Sequence, residues 1–338
     1  MKAESLSPAA DGLIHVEPGE GGIRRRRSGR GFAYYSANGR KLGPGQQLDR
    51  IKALAIPPAW NDVWVSSHPE AHIQATGVDD AGRRQYLYHP AWREQRDAEK
   101  FTHSLAFARR LPTLRRAVTR DLRQSDDGRR RALAAAVRLM DRAGLRVGGA
   151  EYAQENGSFG ASTLQRRHVS VEDGTVHLRF RGKSGNEWDV RIEDELLLQY
   201  FESVPAGPRP APALCFAVPR DGGRGGRRWA CIDAAAINAY LERIAGPGFS
   251  AKDFRTWQGT VAAARSLARS YRAGDTSPAA VAAAMKAAAE WLHNTPAIAR
   301  DSYVDPRVVE LFERGRVADF SQQPDRAVVA LLAEGESA

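Results

Sequence analysis

The chain is poor in cysteine and in long apolar runs, and both absences exclude classes of protein. Its 338 residues include two cysteines, Cys215 and Cys231, too few for a disulfide framework or a cysteine zinc site. We therefore expect buried or incidental thiols at these positions. No apolar run approaches the roughly 20 residues of a membrane span, and no signal-peptide pattern is present. These absences predict a cytoplasmic protein without a membrane partner.

Lysine is also scarce, although the chain is basic. Of the 50 basic residues seven are lysine, which leaves 43 arginines, and the formal net charge is +10. A basic surplus favours polyanionic partners, of which nucleic acid is the commonest. Arginine does not release its proton in proteins, whereas lysine can be tuned to do so. A lysine retained in so arginine-rich a chain is therefore a candidate for proton transfer.

Composition divides the chain into four segments. Residues 1–30 carry prolines, glycines and the run Arg24–Arg27. We predict a flexible basic arm there, either solvated or in contact with DNA phosphates. Residues 31–95 hold short aromatic and β-branched runs between turn signals, which predicts a small β-rich domain. Residues 96–320 carry apolar side chains mostly at helical spacing, which predicts a helical domain. We predict that residues 321–338 are a C-terminal tail, in which roughly the last fifteen residues form one helix with a frayed end.

Two stretches interrupt the helical pattern. Residues 176–180 and 188–192 alternate apolar and polar side chains around Gly182–Asn186, which predicts a β-hairpin with Lys183 at its tip. Residues 205–229 are rich in Pro, Gly and Arg and predict a long loop. The predicted fold class is therefore α+β, with a small β-rich N-terminal domain and a larger, mainly α-helical domain that contains a β-hairpin.

Four polar stretches in the helical half supply a distinctive set of side chains. They are Gly144–Gly148, Arg181–Gly185, Lys252–Trp257 and His293–Tyr303. The reactive groups in them are Arg146, Lys183, Arg255, Asn294 or His293, and Tyr303. Two tryptophans near these stretches, Trp257 and Trp291, have helical spacing and are predicted to be core residues.

This set of side chains suits transesterification at a phosphodiester. A tyrosine phenol can attack phosphorus and form a covalent phosphotyrosine. Arginine forks match phosphate geometry and stay charged, so they can stabilise the developing charge without a metal ion. A lysine can give the leaving oxygen its proton. Taken singly, Arg146 could also cap a helix, Arg255 could form a surface salt bridge, and Tyr303 could be a core aromatic.

Five short motifs follow one another in a fixed order. They are Gly82–Tyr88, Arg146 in Gly-Leu-Arg-Val-Gly, Lys183 in Gly-Lys-Ser-Gly, Arg255 in Lys-Asp-Phe-Arg-Thr-Trp, and Tyr303 in Asp-Ser-Tyr-Val-Asp-Pro. The ordered set resembles the type IB DNA topoisomerases, particularly their compact poxvirus and bacterial branch. Each motif is modest alone, but the five in order are specific, and the similarity runs from about Gly31 to Arg316.

The resemblance implies an enzyme that relaxes positive and negative supercoils without ATP, metal or cofactor. Tyr303 is then the nucleophile of a 3′-phosphotyrosyl intermediate, and Lys183 protonates the leaving 5′-oxygen. Arg146, Arg255 and Asn294 hold the non-bridging phosphate oxygens.

The resemblance also implies an architecture and a partner. The helical domain has the catalytic fold shared by tyrosine recombinases and type IB topoisomerases, and the β-rich domain completes a clamp on double-stranded DNA. The protein is expected to act as a monomer at the nucleoid. The expected DNA contacts of the β-rich domain are Arg83, Arg84, Gln85, Tyr86 and Tyr88. The alternative for Gln85, Tyr86 and Tyr88 is that they are ordinary strand residues.

One position departs from the family pattern. Nine residues before the tyrosine, many members carry a histidine, and this chain has Asn294. Asparagine can donate a neutral N–H to an oxyanion, but it carries no positive charge and does not titrate near neutral pH. We expect Asn294 to contact the phosphate, with the neighbouring His293 as the alternative.

Two other functions stay open on sequence alone. A tyrosine recombinase uses a similar set of residues. It usually has a histidine three residues before the arginine that corresponds to Arg255, and this chain has Lys252 there. The N-terminal domain of a recombinase is also usually helical. A non-catalytic DNA-binding protein would explain the net charge, but not the ordered set of reactive side chains.

Overall fold

The computed structural model describes residues 12–124, 126–204, 211–219 and 227–335. These residues form two compact units whose boundary in the sequence falls between Lys100 and Phe101. We call them the N-terminal unit and the C-terminal unit. Among the described residues, no helix is both long and apolar enough to cross a membrane.

The N-terminal unit is built on a five-stranded antiparallel sheet, which confirms the predicted β-rich character. Its apolar core includes Ile23, Ile51, Val63, Val65 and Ala75. The strands follow the order β2-β1-β3-β4-β5 across the sheet. The elements are β1 (Ile23–Ser28), β2 (Gly31–Tyr35), α1 (Gln46–Ala53), β3 (Asn61–Val65), β4 (Ile73–Val78) and β5 (Arg84–Tyr88).

The run Arg24–Arg27 belongs to strand β1 and not to a flexible arm, so that prediction was wrong. The strand pairs with β2 along its length, and Ile23 at its start is buried. The guanidinium of Arg25 lies 4.0 Å from the centre of the Phe32 ring and donates to backbone carbonyls. Main-chain pairing does not depend on side-chain charge, and an aromatic face can accommodate a guanidinium. Residues 1–11 of the predicted arm lie outside the described residues.

The C-terminal unit is mainly helical, as predicted. Its helices are α2 (Pro90–Gln124, from Phe101 onward), α3 (Gly128–Ala143), α4 (Ala150–Asn156), α5 (Glu195–Ser203), α6 (Ala234–Ala245), α7 (Ala251–Arg272), α8 (Pro278–Leu292), α9 (Pro296–Ser302), α10 (Arg307–Glu313) and α11 (Pro324–Gly335). Its strands are β6 (Val169–Glu172), β7 (Thr175–Arg181), β8 (Glu187–Ile192), β9 (Cys215–Pro219) and β10 (Arg227–Cys231).

The strands of this unit form two antiparallel groups. Strands β6, β7 and β8 make one sheet, and the predicted β7–β8 hairpin with Lys183 in its connection is confirmed. Strands β9 and β10 pair with each other, so the prediction of a long loop over residues 205–229 was wrong in part. Composition concealed these strands, because the few apolar residues that anchor them stand between Pro- and Gly-rich stretches. Residues 205–210 and 220–226 lie outside the described residues.

Helix α7 is the element around which the C-terminal unit is assembled. It packs against α3, α6, α8, α10 and α11. Because neighbours cover it on several sides, its buried set includes Phe254, Trp257 and Leu267. Trp257 is therefore a core residue, as predicted, and its indole Nε1 donates to Asp325 at 2.7 Å.

A buried carboxylate joins α3 to α5. Asp194 is the N-cap of α5, and its side chain accepts the N–H of Leu197 at 3.3 Å. Its Oδ2 also accepts from Nε of Arg138 at 2.7 Å and from Nε of Arg142 at 3.2 Å. Both arginines lie near the end of α3, so this contact holds the end of the helix from which Gly144–Gly148 begins.

We predict that Asp194→Ala lowers the free energy of unfolding by about 3 kcal/mol, because the variant loses a helix cap and leaves Arg138 without its carboxylate. Chemical denaturation followed by circular dichroism measures this change. The matched control is Glu193→Ala, which removes an exposed neighbouring carboxylate and should change stability by less than about 0.5 kcal/mol. Equal stabilities for the two variants would contradict the assigned role.

Candidate active site

Arg255 lies in the second turn of α7 and is almost completely buried, with 2% of its surface exposed. Its Nη1 donates to the carbonyl of Gly144, and its Nη2 donates to the carbonyl of Leu292 at 2.8 Å. Gly144 is the C-cap of α3, and Leu292 is the last residue of α8. Carbonyls at helix C-termini carry partial negative charge, so both stabilise the buried cation. One side chain therefore joins α7 to the ends of two other helices.

Tyr303 follows α9 and is held against α7 through its backbone. Its N–H donates to the carbonyl of Ala299 at 3.0 Å. The hydroxyl of Thr260 on α7 lies 3.1 Å from the Tyr303 carbonyl and accepts the N–H of Asp305 at 3.0 Å. A Cβ atom on Gly259 would lie 2.9 Å from Cβ of Tyr303, so only glycine allows this approach. Helix α7 thus sets the position of the tyrosine.

The phenol of Tyr303 lies beside two cations. Cζ of Arg255 is 5.1 Å from the centre of the ring. Burial raises the pKa of Tyr303, but the positive charges of Arg255 and Arg146 outweigh burial and bring the pKa below its ordinary value. Burial and the charge of Arg146 in turn lower the pKa of Arg255 to about 10, so Arg255 remains protonated at neutral pH. The cluster therefore stabilises negative charge on the phenol oxygen, which is the charge of an activated nucleophile.

Arg146 lies in the loop that follows α3, and close backbone packing holds this loop. Gly144 has φ +65°, which turns the chain out of the helix. The carbonyl of Arg146 accepts the N–H of Ala161 at 2.9 Å. A Cβ atom on Gly160 would lie 2.6 Å from the same carbonyl oxygen. These contacts keep the half-buried Arg146 at a place from which its charge acts on Tyr303.

Lys183 lies in the short connection between β7 and β8. Ser184 and Gly185 have φ +62° and φ +78°, so the turn depends on left-handed backbone conformations. The lysine is exposed and lines the same cleft as Arg146 and Tyr152. The hairpin thus brings Lys183 next to the loop that carries Arg146.

His293 and Asn294 follow α8 and differ in how their side chains are used. The His293 ring stacks on Trp188, with 3.9 Å between ring centres. Burial lowers the pKa of His293, and the charge of Arg255 acts in the same direction, so the ring is neutral at neutral pH. Both amide atoms of Asn294 are buried without a hydrogen-bond partner among the described residues. Buried polar groups without a partner are costly, so Asn294 has hydrogen-bonding capacity available for a ligand.

Strand β5 and the turn before it carry the predicted DNA contacts of the N-terminal unit. Tyr86 and Tyr88 are 40% and 36% exposed on one face of the strand, and their rings stack with 5.9 Å between centres. Gln85 donates to Oδ2 of Asp79 at 2.9 Å, and Arg83 forms an ion pair with the same carboxylate at 2.8 Å. The remaining predicted contact, the exposed Arg84, begins the strand.

The C-terminal unit brings the predicted residues Arg146, Arg255 and Tyr303 into one charged cluster, with Lys183 beside Arg146. Sequence reasoning missed Gly259, although a glycine inside a strong helical pattern indicates close packing. It also assigned Trp291 to the core, which was wrong, because this side chain is 44% exposed. Spacing places a residue on a helix face but does not show what covers that face.

Comparisons with known proteins bear on the same residues. Residues 89–314 match the family described as eukaryotic DNA topoisomerase I, catalytic core, and residues 31–79 match the bacterial DNA topoisomerase IB, N-terminal domain. The DNA topoisomerase 1B of Acanthamoeba polyphaga mimivirus is 29% identical over 316 residues, which cover 92% of this chain and 93% of the viral protein. The chain therefore belongs to the type IB DNA topoisomerases, a family of isomerases, and is of their bacterial-like kind.

Proposed function

We propose that this protein relaxes positive and negative supercoils in double-stranded DNA through a transient 3′-phosphotyrosyl link to Tyr303, without ATP or a metal ion. The main support is the position of the Tyr303 ring, 5.1 Å from the guanidinium carbon of the buried Arg255. A half-buried phenol with a lowered pKa beside a fixed guanidinium is suited to attack on a phosphodiester.

In the cleavage step, the Tyr303 phenol gives its proton to water, its oxygen attacks phosphorus, and the bond from phosphorus to the 5′-oxygen breaks. Arg146, Arg255 and Asn294 bind the non-bridging oxygens as charge develops on them. Two facts support these roles: Nε of Arg255 and the amide of Asn294 have no partner among the described residues. The leaving 5′-oxygen takes a proton from Lys183, whose exposed place on the hairpin lets the ammonium reach a bound strand.

In the resealing step, the freed 5′-hydroxyl attacks phosphorus, the bond to the Tyr303 oxygen breaks, and the departing phenolate takes up a proton from water. Lys183 then takes back the proton that it gave. The covalent link conserves the energy of the phosphodiester, so the cycle needs no ATP. Between the two steps the cut strand rotates about the intact one, and the rotation removes supercoils of either sign.

We also propose the architecture that goes with this chemistry. The C-terminal unit has the catalytic fold shared with tyrosine recombinases, and the N-terminal unit binds the duplex through the exposed pair Tyr86 and Tyr88, with Arg83, Arg84 and Gln85 beside them. The β-rich N-terminal unit favours a topoisomerase over a recombinase. The protein acts as a monomer, and its substrate places it at the nucleoid in the cytoplasm.

We predict that the protein relaxes positively and negatively supercoiled plasmid in EDTA without ATP, and that Tyr303→Phe lowers the relaxation rate by at least about 10⁴-fold, because the nucleophile is lost. Gel electrophoresis of topoisomers measures the rate, and DNA affinity should stay nearly unchanged. The matched control is Tyr271→Phe, since Tyr271 is another partly exposed tyrosine, at the far end of α7. Relaxation by the Tyr303→Phe variant would exclude Tyr303 as the nucleophile.

Lys183→Arg separates proton donation from charge. Arginine keeps the positive charge but does not give up a proton, so we expect single-turnover cleavage to slow by about 10²- to 10⁴-fold. A substrate whose bridging 5′-oxygen is replaced by sulfur needs no acid, because a thiolate leaves without a proton. Cleavage of that substrate by the variant should approach the wild-type rate. An equal loss on both substrates would show that Lys183 acts only by position or charge.

The Tyr303 phenol should titrate below the ordinary tyrosine value of 10.0. Ultraviolet difference titration of wild type against Tyr303→Phe isolates this group. Arg146→Ala should raise the pKa of Tyr303, because it removes one of the two positive charges that oppose the effect of burial on this pKa. The pH at which cleavage reaches half its maximal rate should shift upward in the variant. An unchanged titration in Arg146→Ala would contradict the electrostatic role of Arg146.

A further inference from the structure

The two cysteines of the chain lie opposite each other on neighbouring strands. Cys215 begins β9, Cys231 ends β10, and the two residues are direct partners in the antiparallel register. Their Sγ atoms are 3.3 Å apart. The sequence contains no other cysteine.

This geometry meets the requirements of a disulfide. Directly opposed residues on antiparallel strands have Cα atoms about 4.5 or 5.5 Å apart, and both values fall within the range of about 4.4–6.8 Å found for disulfides. Their Cβ atoms also point to the same face of the strand pair. The sulfurs need to approach by little more than about 1 Å to reach the bonding distance of about 2.05 Å.

We propose that Cys215 and Cys231 are a redox-active pair that closes to a disulfide when the protein meets a peroxide. Neither cysteine belongs to the active-site cluster, so this pair is a site separate from the one that acts on DNA. The proposal stands on the register and the sulfur–sulfur distance, and it does not depend on the proposed topoisomerase mechanism.

The two thiols have different surroundings, which assigns them different parts in the reaction. Cys231 is exposed, so it is the thiol that meets an oxidant in solution. Cys215 is buried. Burial, and to a smaller extent the hydrogen bond with Cys231, raise the pKa of its thiol to about 12. Cys215 is therefore protonated at neutral pH and reacts second, as the partner held in place.

The reaction balances with hydrogen peroxide as the oxidant. The Cys231 thiolate attacks one peroxide oxygen, the O–O bond breaks, and a sulfenic acid forms while the other oxygen leaves as water after taking up a proton. The Cys215 sulfur then attacks the Cys231 sulfur, the S–O bond breaks, and the departing hydroxide takes the Cys215 proton as a second water. The two thiols lose two electrons in total, and one peroxide is reduced.

The disulfide closes the β9–β10 hairpin at its base. Leu214 and Ile232, the neighbours of the two cysteines, are buried in the core of the C-terminal unit. On the hairpin itself, Trp229 is 45% exposed and Arg228 is exposed. The bond therefore fixes the two strands that carry this basic and aromatic surface, and it restricts the unfolded chain by closing a short loop.

The test uses the full-length protein, reduced and then treated with hydrogen peroxide, followed by alkylation under denaturing conditions and intact-mass spectrometry. We expect the oxidised protein to lose two hydrogen atoms and to take up no alkylating agent. Peptide mapping should join the Cys215 and Cys231 peptides. The midpoint of thermal unfolding should rise by about 5–10 °C over the reduced protein, and a thiol reductant should reverse the rise.

Cys231→Ser is the matched control, because it changes an exposed position and leaves the buried thiol intact. This variant should show no peroxide-dependent change in its unfolding temperature. Two alkylated cysteines after peroxide treatment would overturn the proposal. So would a disulfide-linked dimer on a non-reducing gel, or oxygen added to Cys231 without loss of the Cys215 thiol.

Discussion

The active-site cluster depends on the hydrogen bonds that the buried guanidinium of Arg255 donates to two backbone carbonyls. A charge removed from water is costly unless hydrogen bonds compensate it. The carbonyls of Gly144 and Leu292, at the ends of α3 and α8, provide that compensation. Because the arginine needs both carbonyls, the ends of these two helices must meet α7 at one place. The segments that follow them carry Arg146 on one side and Asn294 on the other.

The same arrangement sets the charge balance at Tyr303. Arg146 and Arg255 repel each other, and burial adds to the cost of keeping Arg255 charged. A phenolate between them relieves both effects, which is the reason that the pKa of Tyr303 falls although the side chain is half-buried. The two like charges repel each other, and an anion placed near both of them offsets this repulsion. The anion is first the phenolate and, in the proposed reaction, the phosphate.

The degree of burial differs among the reactive groups in a way that suits their proposed parts. Arg255 is fixed in the core, and the Asn294 amide is buried beside the end of α8 without a partner among the described residues. Lys183 is exposed on a hairpin. Groups that stabilise charge gain from rigidity and from a low dielectric, whereas an acid must exchange its proton and reach a strand that binds and leaves. The ring of His293 is neutral and stacks on Trp188. Position 294 holds asparagine in place of histidine, so the amide of Asn294 is the donor that is available there.

Local pattern determined much of this protein. Helical spacing, alternation and turn residues predicted the β-rich N-terminal region, the helical C-terminal unit and the hairpin with Lys183, and the motifs predicted the set of residues that includes the Arg146, Arg255 and Tyr303 cluster. Only the tertiary structure decided that Arg24–Arg27 form a strand, that Trp291 is exposed, that Gly259 admits Tyr303, and that Cys215 lies against Cys231. The physical reason is one of range. Periodicity and turn chemistry act over a few residues, whereas burial, close approach and charge balance depend on which distant segments meet.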